Sequence, residues 1–269
     1  MPQVRVGDRE VYCEVHGDGG GVPLLLVMGM GGSCRGWLPL QVPEFSRTRR
    51  TVIFDHPGVG TSHDTGATFS TAGFADNAVE LLDALDIERA DVLGVFMGGM
   101  VAQEMALRHP DRVDQLALTG TFARPDAKCR LLLEHWRDLA RGGASVEVLI
   151  RERLLWTLLD ETLEQTDLIQ SMIEFFTREG VPLTEDVFAR QCEACLHHDT
   201  ADRLGAIRHR TLVLCGEHDR LTPLSLHRQL AHAIPDSHLV SISYGAHMVM
   251  VESAEHFNRT VLQFIADGH

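Results

Sequence analysis

The sequence predicts an α/β protein with a mostly parallel central sheet, helices on both faces of that sheet and a helical lid insertion. Three observations lead to this fold class. Strand-like and helix-like segments alternate along most of the chain, the strands are continuous apolar runs, and one long stretch lacks strand signals. Continuous apolar strands are typical of parallel sheets, because helices cover both faces of such sheets.

The first elements along the chain have strand patterns. Apolar and polar residues alternate over residues 4–6 and 11–15, and Gly7-Asp8 between them predicts an opening hairpin. Residues 24–28 form a continuous apolar run followed by glycines, and residues 51–54 form a second such run. Both runs are predicted as buried parallel strands.

The alternation of helices and strands continues to the end of the chain. Apolar residues at helical spacing and short apolar runs follow one another, which indicates successive strand–helix units. Further strands are predicted over residues 91–93, 113–118, 211–215 and 238–242, and helices over residues 74–85, 97–109 and 252–265.

One long segment has no strand signal. Between residues 124 and 204, apolar residues recur at helical spacing, for example Leu132 with Trp136 and Met172 with Phe176. An insertion between two strands of a parallel sheet is expected to cover the carboxyl edge, where ligands bind. The predicted organisation is therefore an α/β core of residues 1–123 and 205–269, with a helical lid of residues 124–204, called the lid segment below.

The composition limits the possible partners. The 269 residues include 24 basic and 38 acidic side chains, which gives a formal charge of −14. This balance argues against nucleic acid and anionic membranes, which both attract basic patches. No apolar run approaches the roughly 20 residues that span a bilayer, and the first residues lack a signal-peptide core. We expect a cytoplasmic protein, monomer or homodimer, with a small-molecule substrate.

The cysteines contain one pattern that metal and redox sites also show. Cys192 and Cys195 form a C-x-x-C, with His197 and His198 close behind. Zinc sites usually have a second ligand pair at similar spacing, and the sequence has none. Because residues three apart share a helix face, we interpret both cysteines as packed core residues and expect no metal.

A turn between a predicted strand and a predicted helix carries the most informative motif. Residues 92–100 read Val-Leu-Gly-Val-Phe-Met-Gly-Gly-Met, so Gly94 and Gly98 flank Phe96. This is the spacing of the G-x-S-x-G nucleophile elbow, whose glycines allow a sharp turn and close helix packing. Phe96 stands where that motif has serine.

Together with other motifs, this turn resembles the α/β-hydrolase superfamily, in particular its esterase-like and antibiotic-biosynthesis members with a helical lid. A glycine loop at residues 29–32 follows a strand, and residues 55–62 stand in the place of the family's D-x-R-G-x-G-x-S turn, with Pro57 at the position of its arginine. Residues 216–223 carry the family acid at Asp219, and residues 245–247 carry the family histidine at His247. The order of elbow, acid and histidine is the one this fold uses.

The resemblance implies a specific set of site residues and no cofactor. His247 and Asp219 would form a catalytic pair, and the backbone N–H groups of Met30 and Met97 would form an oxyanion hole. Other residues expected to line the substrate pocket are Phe96, Gly29, Ser33 and Met248.

Phe96 determines the reaction class that we expect. Phenylalanine cannot attack a carbonyl, and loss of a triad nucleophile costs on the order of 10⁶ in turnover. The prediction is a non-hydrolytic lyase in which His247, oriented by Asp219, acts as general base or acid. Its reaction would be β-elimination such as acetate loss, decarboxylation or a related proton transfer on a bulky apolar natural-product intermediate, as in polyketide pathways.

Three other functions stay open at this point. A hydrolase could use His247 to activate water directly, a cofactor-free oxygenase would consume O₂, and a pseudoenzyme would only bind a ligand. Asp126 is an alternative candidate for the acid. Ser33 and Cys34 are candidates for a replacement nucleophile. A helix cap and a core thiol are the preferred interpretations of Ser33 and Cys34.

Overall fold

Eight strands form one central sheet in the computed structural model, which describes residues 3–64, 66–179, 183–266 and 268. The order across the sheet is β1-β2-β4-β3-β5-β6-β7-β8. β2 pairs antiparallel with β1 and β4, and every other neighbouring pair is parallel. The strands are β1 Gln3–Val6, β2 Arg9–His16, β3 Leu24–Val27, β4 Thr51–Phe54, β5 Ala90–Val95, β6 Val113–Thr119, β7 Thr211–Gly216 and β8 Ser237–Ile242.

Helices cover the sheet, which confirms the predicted fold class. All four residues of β3, all four of β4 and all six of β5 are buried, as expected for central strands packed on both faces. The helices outside the lid segment are α1 Val42–Phe45, α2 Thr71–Ala84, α3 Met97–Arg108, α9 Leu224–Ala233, α10 Val249–Glu252 and α11 Ala254–Ala266.

The lid segment is helical and lies between β6 and β7. Side chains set where its helices begin, because Oδ1 of Asp126 accepts from Cys129 N and the hydroxyls of Ser145 and Thr184 cap later helices. Asp126, weighed as an alternative acid, is thus a helix cap. The helices are α4 Ala127–Arg141, α5 Val146–Thr157, α6 Asp160–Leu163, α7 Thr166–Glu174 with a π-helical turn Phe175–Glu179, and α8 Glu185–Leu196.

Polar contacts attach the lid segment to the core. Arg190 of α8 pairs with Asp64 at 2.6 Å. Met248 N donates to Thr157 O at 2.9 Å, at the end of α5. Residues 1–2, 65, 267 and 269 of the predicted core, and residues 180–182 of the predicted lid, lie outside the described residues. Among the helices that the structure describes, none has the length and apolar character to cross a membrane.

The C-x-x-C pattern lies in the interior. Cys192 and Cys195 are both on α8, buried and unpaired. Sγ of Cys192 lies 3.6 Å from Sδ of Met30. His198 binds Thr71 Oγ1 through Nδ1 at 2.9 Å, whereas His197 is mostly exposed. In the described ranges, no group of three or more His, Cys, Asp or Glu side chains is arranged to hold a metal.

Candidate active site

A strained turn joins β5 to α3 at the carboxyl edge of the sheet. Phe96 occupies it with φ 50° and ψ −110°, in a region that costs a non-glycine residue on the order of 1–3 kcal/mol. Its N–H donates to Thr119 O at 3.0 Å, and its carbonyl accepts from Thr121 Oγ1 at 2.8 Å. These two hydrogen bonds attach the turn to the end of β6 and to the residue two positions after it.

The glycines of the turn let α3 approach the sheet closely. A Cβ on Gly94 would lie 2.2 Å from Gly98 O, and a Cβ on Gly98 would lie 2.1 Å from Val27 O. Both distances are far below contact, so only glycine fits at either position. The G-x-x-x-G spacing thus has the physical role that its sequence context predicts.

The structure brings His247 and Asp219 together. Asp219 follows β7, His247 follows β8, and Nδ1 of His247 lies 2.9 Å from Oδ2 of Asp219. Oδ1 of Asp219 accepts from the backbone N–H groups of Leu221 at 2.9 Å and Thr222 at 2.7 Å. Oδ2 also accepts from the Thr222 hydroxyl at 2.7 Å. The carboxylate is therefore fixed on both oxygens.

The environment keeps Asp219 ionised. Burial by itself opposes the charged form, but the neighbouring His247 and the hydrogen bonds outweigh it and lower the pKa of Asp219 below its ordinary value. An ionised carboxylate accepts the proton on Nδ1 of His247. Nε2 is then the nitrogen left free to act as base.

An aromatic side chain stands beside the imidazole. The ring centroids of Phe96 and His247 are 5.2 Å apart, with an interplanar angle of 80°. Phe122 stacks edge-on against the other side of Phe96, with centroids 6.0 Å apart. Phe96 is buried by these contacts.

A cavity of about 480 Å³ opens between the carboxyl edge of the sheet and the lid segment. Loop residues near β3 and β8 form the wall on the side of the core. Residues of α4, α5 and α7 form the opposite wall. Five of the predicted site residues line the cavity: Gly29, Met30, Phe96, Met248 and His247. Among its described lining residues, the only titratable side chains are His247 and Arg153.

Two predicted residues lie behind this wall. Asp219 sits behind His247, and Met97 is fully buried at the first position of α3. The first N–H groups of a helix have no intrahelical acceptor, which suits Met97 N to the predicted oxyanion hole.

The prediction that Ser33 lines the substrate pocket is wrong. Its Oγ accepts from Arg35 N at 3.2 Å and caps the 3₁₀ helix Cys34–Trp37. Ser33 lines only a small adjoining cavity and is absent from the wall of the large one. The capping contact directs the Ser33 side chain to Arg35 N, which the sequence alone did not indicate, whereas Gly36 and Trp37 further along line the cavity again.

Comparisons with known proteins agree with this fold. The family model described as the alpha/beta hydrolase fold matches residues 22–254. The chain belongs to the α/β-hydrolase fold family. RutD of Azorhizobium caulinodans, provisionally named a carbamate hydrolase, is 31% identical over 268 residues, 99% of each chain. RutD of Caulobacter sp., with the same provisional name, is 32% identical over 259 residues, 95% of this chain and 96% of its own.

Solved structures of this fold superpose over nearly the whole chain. The enol-lactonase from Burkholderia xenovorans LB400 has a TM-score of 0.89 and 26% identity, covering 98% of this chain and 100% of its own. A hydrolase from Pseudomonas aeruginosa has a TM-score of 0.87 and 25% identity, covering 98% and 97%.

Within this α/β-hydrolase fold, sequence reasoning missed one cavity residue. Arg153 of α5 lines the cavity beside Ile150, Leu154 and Thr157. Its NH1 donates to Met30 O at 2.9 Å, and its Nε is buried without a partner among the described residues. A signal was present in the sequence, since Arg153 follows Ile150 by three residues and precedes Thr157 by four on the inward face of α5.

Proposed function

We propose that this protein is a hydrolase of carbonyl compounds in which His247 activates water directly. The observation that carries this proposal is the buried His247–Asp219 pair, joined at 2.9 Å. His247 lines the cavity together with Phe96, which stands at the serine position of the elbow turn. The relatives named carbamate hydrolase and enol-lactonase favour hydrolysis over the elimination expected from the sequence. Esters, lactones and carbamates are therefore the substrate classes that we favour.

Each step of the reaction has a group on the chain. Nε2 of His247 takes a proton from water as the water oxygen attacks the carbonyl carbon, and Asp219 stabilises the resulting imidazolium. The oxyanion would accept from the N–H groups of Met30 and Met97. Collapse of the tetrahedral intermediate expels the leaving group, which takes the proton from His247. General-base assistance of this kind is worth about 10²–10⁴ in rate.

Elimination is a second candidate, and Phe96 is the observation that favours it. The phenyl ring makes the cavity apolar next to His247, an environment that disfavours a water molecule beside the base. The same Nε2 would then remove a proton from carbon beside the carbonyl, and the leaving group would depart with its electron pair to give an alkene. The oxyanion hole would stabilise the enolate.

Product analysis in ¹⁸O-labelled water separates the two reactions. A panel of phenyl esters, lactones and O-acetylated β-hydroxy esters serves as substrates. Hydrolysis places one label in the acid product, whereas elimination gives an unlabelled alkene. Formation of a covalent acyl-enzyme, detected by mass spectrometry, would contradict both mechanisms.

Matched variants test the base. His247→Gln is expected to lower kcat/KM by about 10²–10⁴. The control is His218→Gln, the same substitution at an exposed histidine in the loop that carries Asp219. His218→Gln should leave activity unchanged. Full activity in His247→Gln would overturn the proposed role of the histidine.

A further inference from the structure

The charge of Arg153 is not balanced by a carboxylate. No ion pair joins this side chain to any Asp or Glu in the part of the chain that the structure describes. Among the described residues, its guanidinium makes one hydrogen bond, from NH1 to Met30 O at 2.9 Å, and stacks on Phe188 at 5.3 Å from the ring centroid. A guanidinium has five N–H donors, so most of its capacity is unused.

The guanidinium is nevertheless charged, and its side chain is half-buried. Burial lowers the pKa of Arg153 to about 10, which still leaves it protonated at neutral pH. It lies against the glycine loop so closely that a Cβ on Gly31 would be 2.0 Å from NH1. Withdrawing a charge even partly from water without a partner has a free-energy cost, so a role that needs the charge has to outweigh that cost.

A second donor at the same loop lacks an acceptor. Gln191 of α8 accepts from Gly31 N through Oε1 at 2.7 Å, which fixes the orientation of its amide. Its Nε2 is buried and has no partner within the described ranges. Arg153 and Gln191 therefore each have an unsatisfied donor near Gly31 among the described residues, and of the two only Arg153 lines the cavity. The cavity's described lining contains no acidic residue.

We propose that Arg153 binds a carboxylate of the substrate and holds an otherwise apolar molecule in the cavity with its carbonyl near His247. This inference rests on the proposed function, because it names the substrate class of the same site. One guanidinium neutralises one carboxylate in planar, two-point geometry, whereas a phosphate dianion would leave a charge uncompensated. In a chain with a formal charge of −14, such a local cation also offsets the repulsion that an anionic substrate meets.

Binding without turnover tests this assignment. Isothermal titration calorimetry compares 4-phenylbutyrate with its neutral amide, 4-phenylbutyramide, which differs only at the charged group. The wild-type protein should bind the carboxylate at least about tenfold more tightly than the amide. In Arg153→Met the two affinities should become equal, and Arg153→Lys should retain part of the preference.

A neighbouring arginine provides the control. Arg151 lies on the same helix but is exposed and paired with Glu147 at 2.9 Å, so Arg151→Met should keep the full preference. His247→Gln should also keep it, so that a failure of the proposed catalytic base leaves this result standing. Circular dichroism verifies folding, and Arg153→Gln replaces Arg153→Met if the latter does not fold.

The contrary results are equally specific. A wild-type protein that binds the carboxylate no more tightly than the amide, including binding neither, would overturn the proposal. So would a carboxylate preference that survives Arg153→Met or disappears in His247→Gln, since the anion would then be held elsewhere.

Discussion

The phenyl ring of Phe96 stands edge-on to the imidazole of His247, with centroids 5.2 Å apart and planes at 80°. Aromatic pairs attract in this arrangement. In the G-x-S-x-G motif this turn places a serine hydroxyl beside the base. Here it places the phenyl ring of Phe96 there instead. His247 keeps its carboxylate partner, Asp219, but has no alcohol at this position to deprotonate.

Phe96→Ser should create a serine nucleophile. The turn already has the required backbone, with φ 50°, and Nε2 of His247 faces the same cavity. We expect labelling by a fluorophosphonate and a gain of at least about tenfold in hydrolysis of p-nitrophenyl acetate, since this variant completes the triad. Loss of the buried ring should lower the free energy of unfolding by up to about 3–5 kcal/mol.

Two variants control this experiment. Phe96→Ala opens the same space without a hydroxyl and should stay unlabelled. The double variant Phe96→Ser/His247→Gln should lose the gained activity. Labelling of wild-type protein at another serine would contradict the view that the nucleophile is absent.

Asp219→Asn should disable the base without removing it. The amide can donate to Nδ1 of His247, which would favour the tautomer with the proton on Nε2. Activity should fall by about 10²–10⁴, no more than in His247→Gln, because the base is then held in the wrong tautomer. Steady-state kinetics measures the loss, with Asp199→Asn in an exposed ion pair as the control. A loss below about tenfold would show that Asp219 does not orient the histidine.

The fold was predictable to the extent that it depends on local apolar patterns. The runs at β3, β4, β6 and β7 were located to within one or two residues, because parallel strands are apolar along their whole length. Helix α9, Leu224–Ala233, was missed. The closing helix was predicted as one element from residue 252, but Ser253 separates α10 from α11.

The site was predictable where a motif encodes it. His247 and Asp219 follow strands in turn motifs that are readable locally. Arg153 was not found, because its significance depends on the absence of a partner in three dimensions and on a carbonyl 123 positions away in the chain. Ser33 was misplaced because the direction of a capping side chain depends on the helix that follows it.

Arg153→Met should not destabilise the protein, in spite of losing a hydrogen bond. That bond to Met30 O is worth about 1 kcal/mol and the Phe188 contact a similar amount, and the cost of an unpaired charge on a half-buried side chain offsets them. We expect the free energy of unfolding to change by no more than about 1 kcal/mol, and the melting temperature by no more than roughly 2–4 °C. Differential scanning calorimetry checks this, with Arg151→Met expected to be neutral. A melting temperature several degrees lower would mean that Arg153 is a structural support.

Stability should fall as the pH drops below about 6.5, because several histidines are buried in the neutral form. Burial lowers the pKa of His56 to about 4 and that of His198 to about 3, against 6.5 for the exposed group. Between those values the unfolded chain binds protons that the folded chain does not. The stabilisation is complete above pH 6.5 and is lost as the pH falls toward the folded pKa values.

One matched pair of variants isolates the contribution of His198. Each buried neutral histidine should contribute up to about 1.4 kcal/mol per pH unit to the slope of stability below pH 6.5. His198→Asn should make that slope shallower by about this amount in urea unfolding at neutral and mildly acidic pH. His197→Asn, at the adjacent exposed histidine, should leave the slope unchanged. Equal slopes in both variants would show that His198 is protonated in the folded protein.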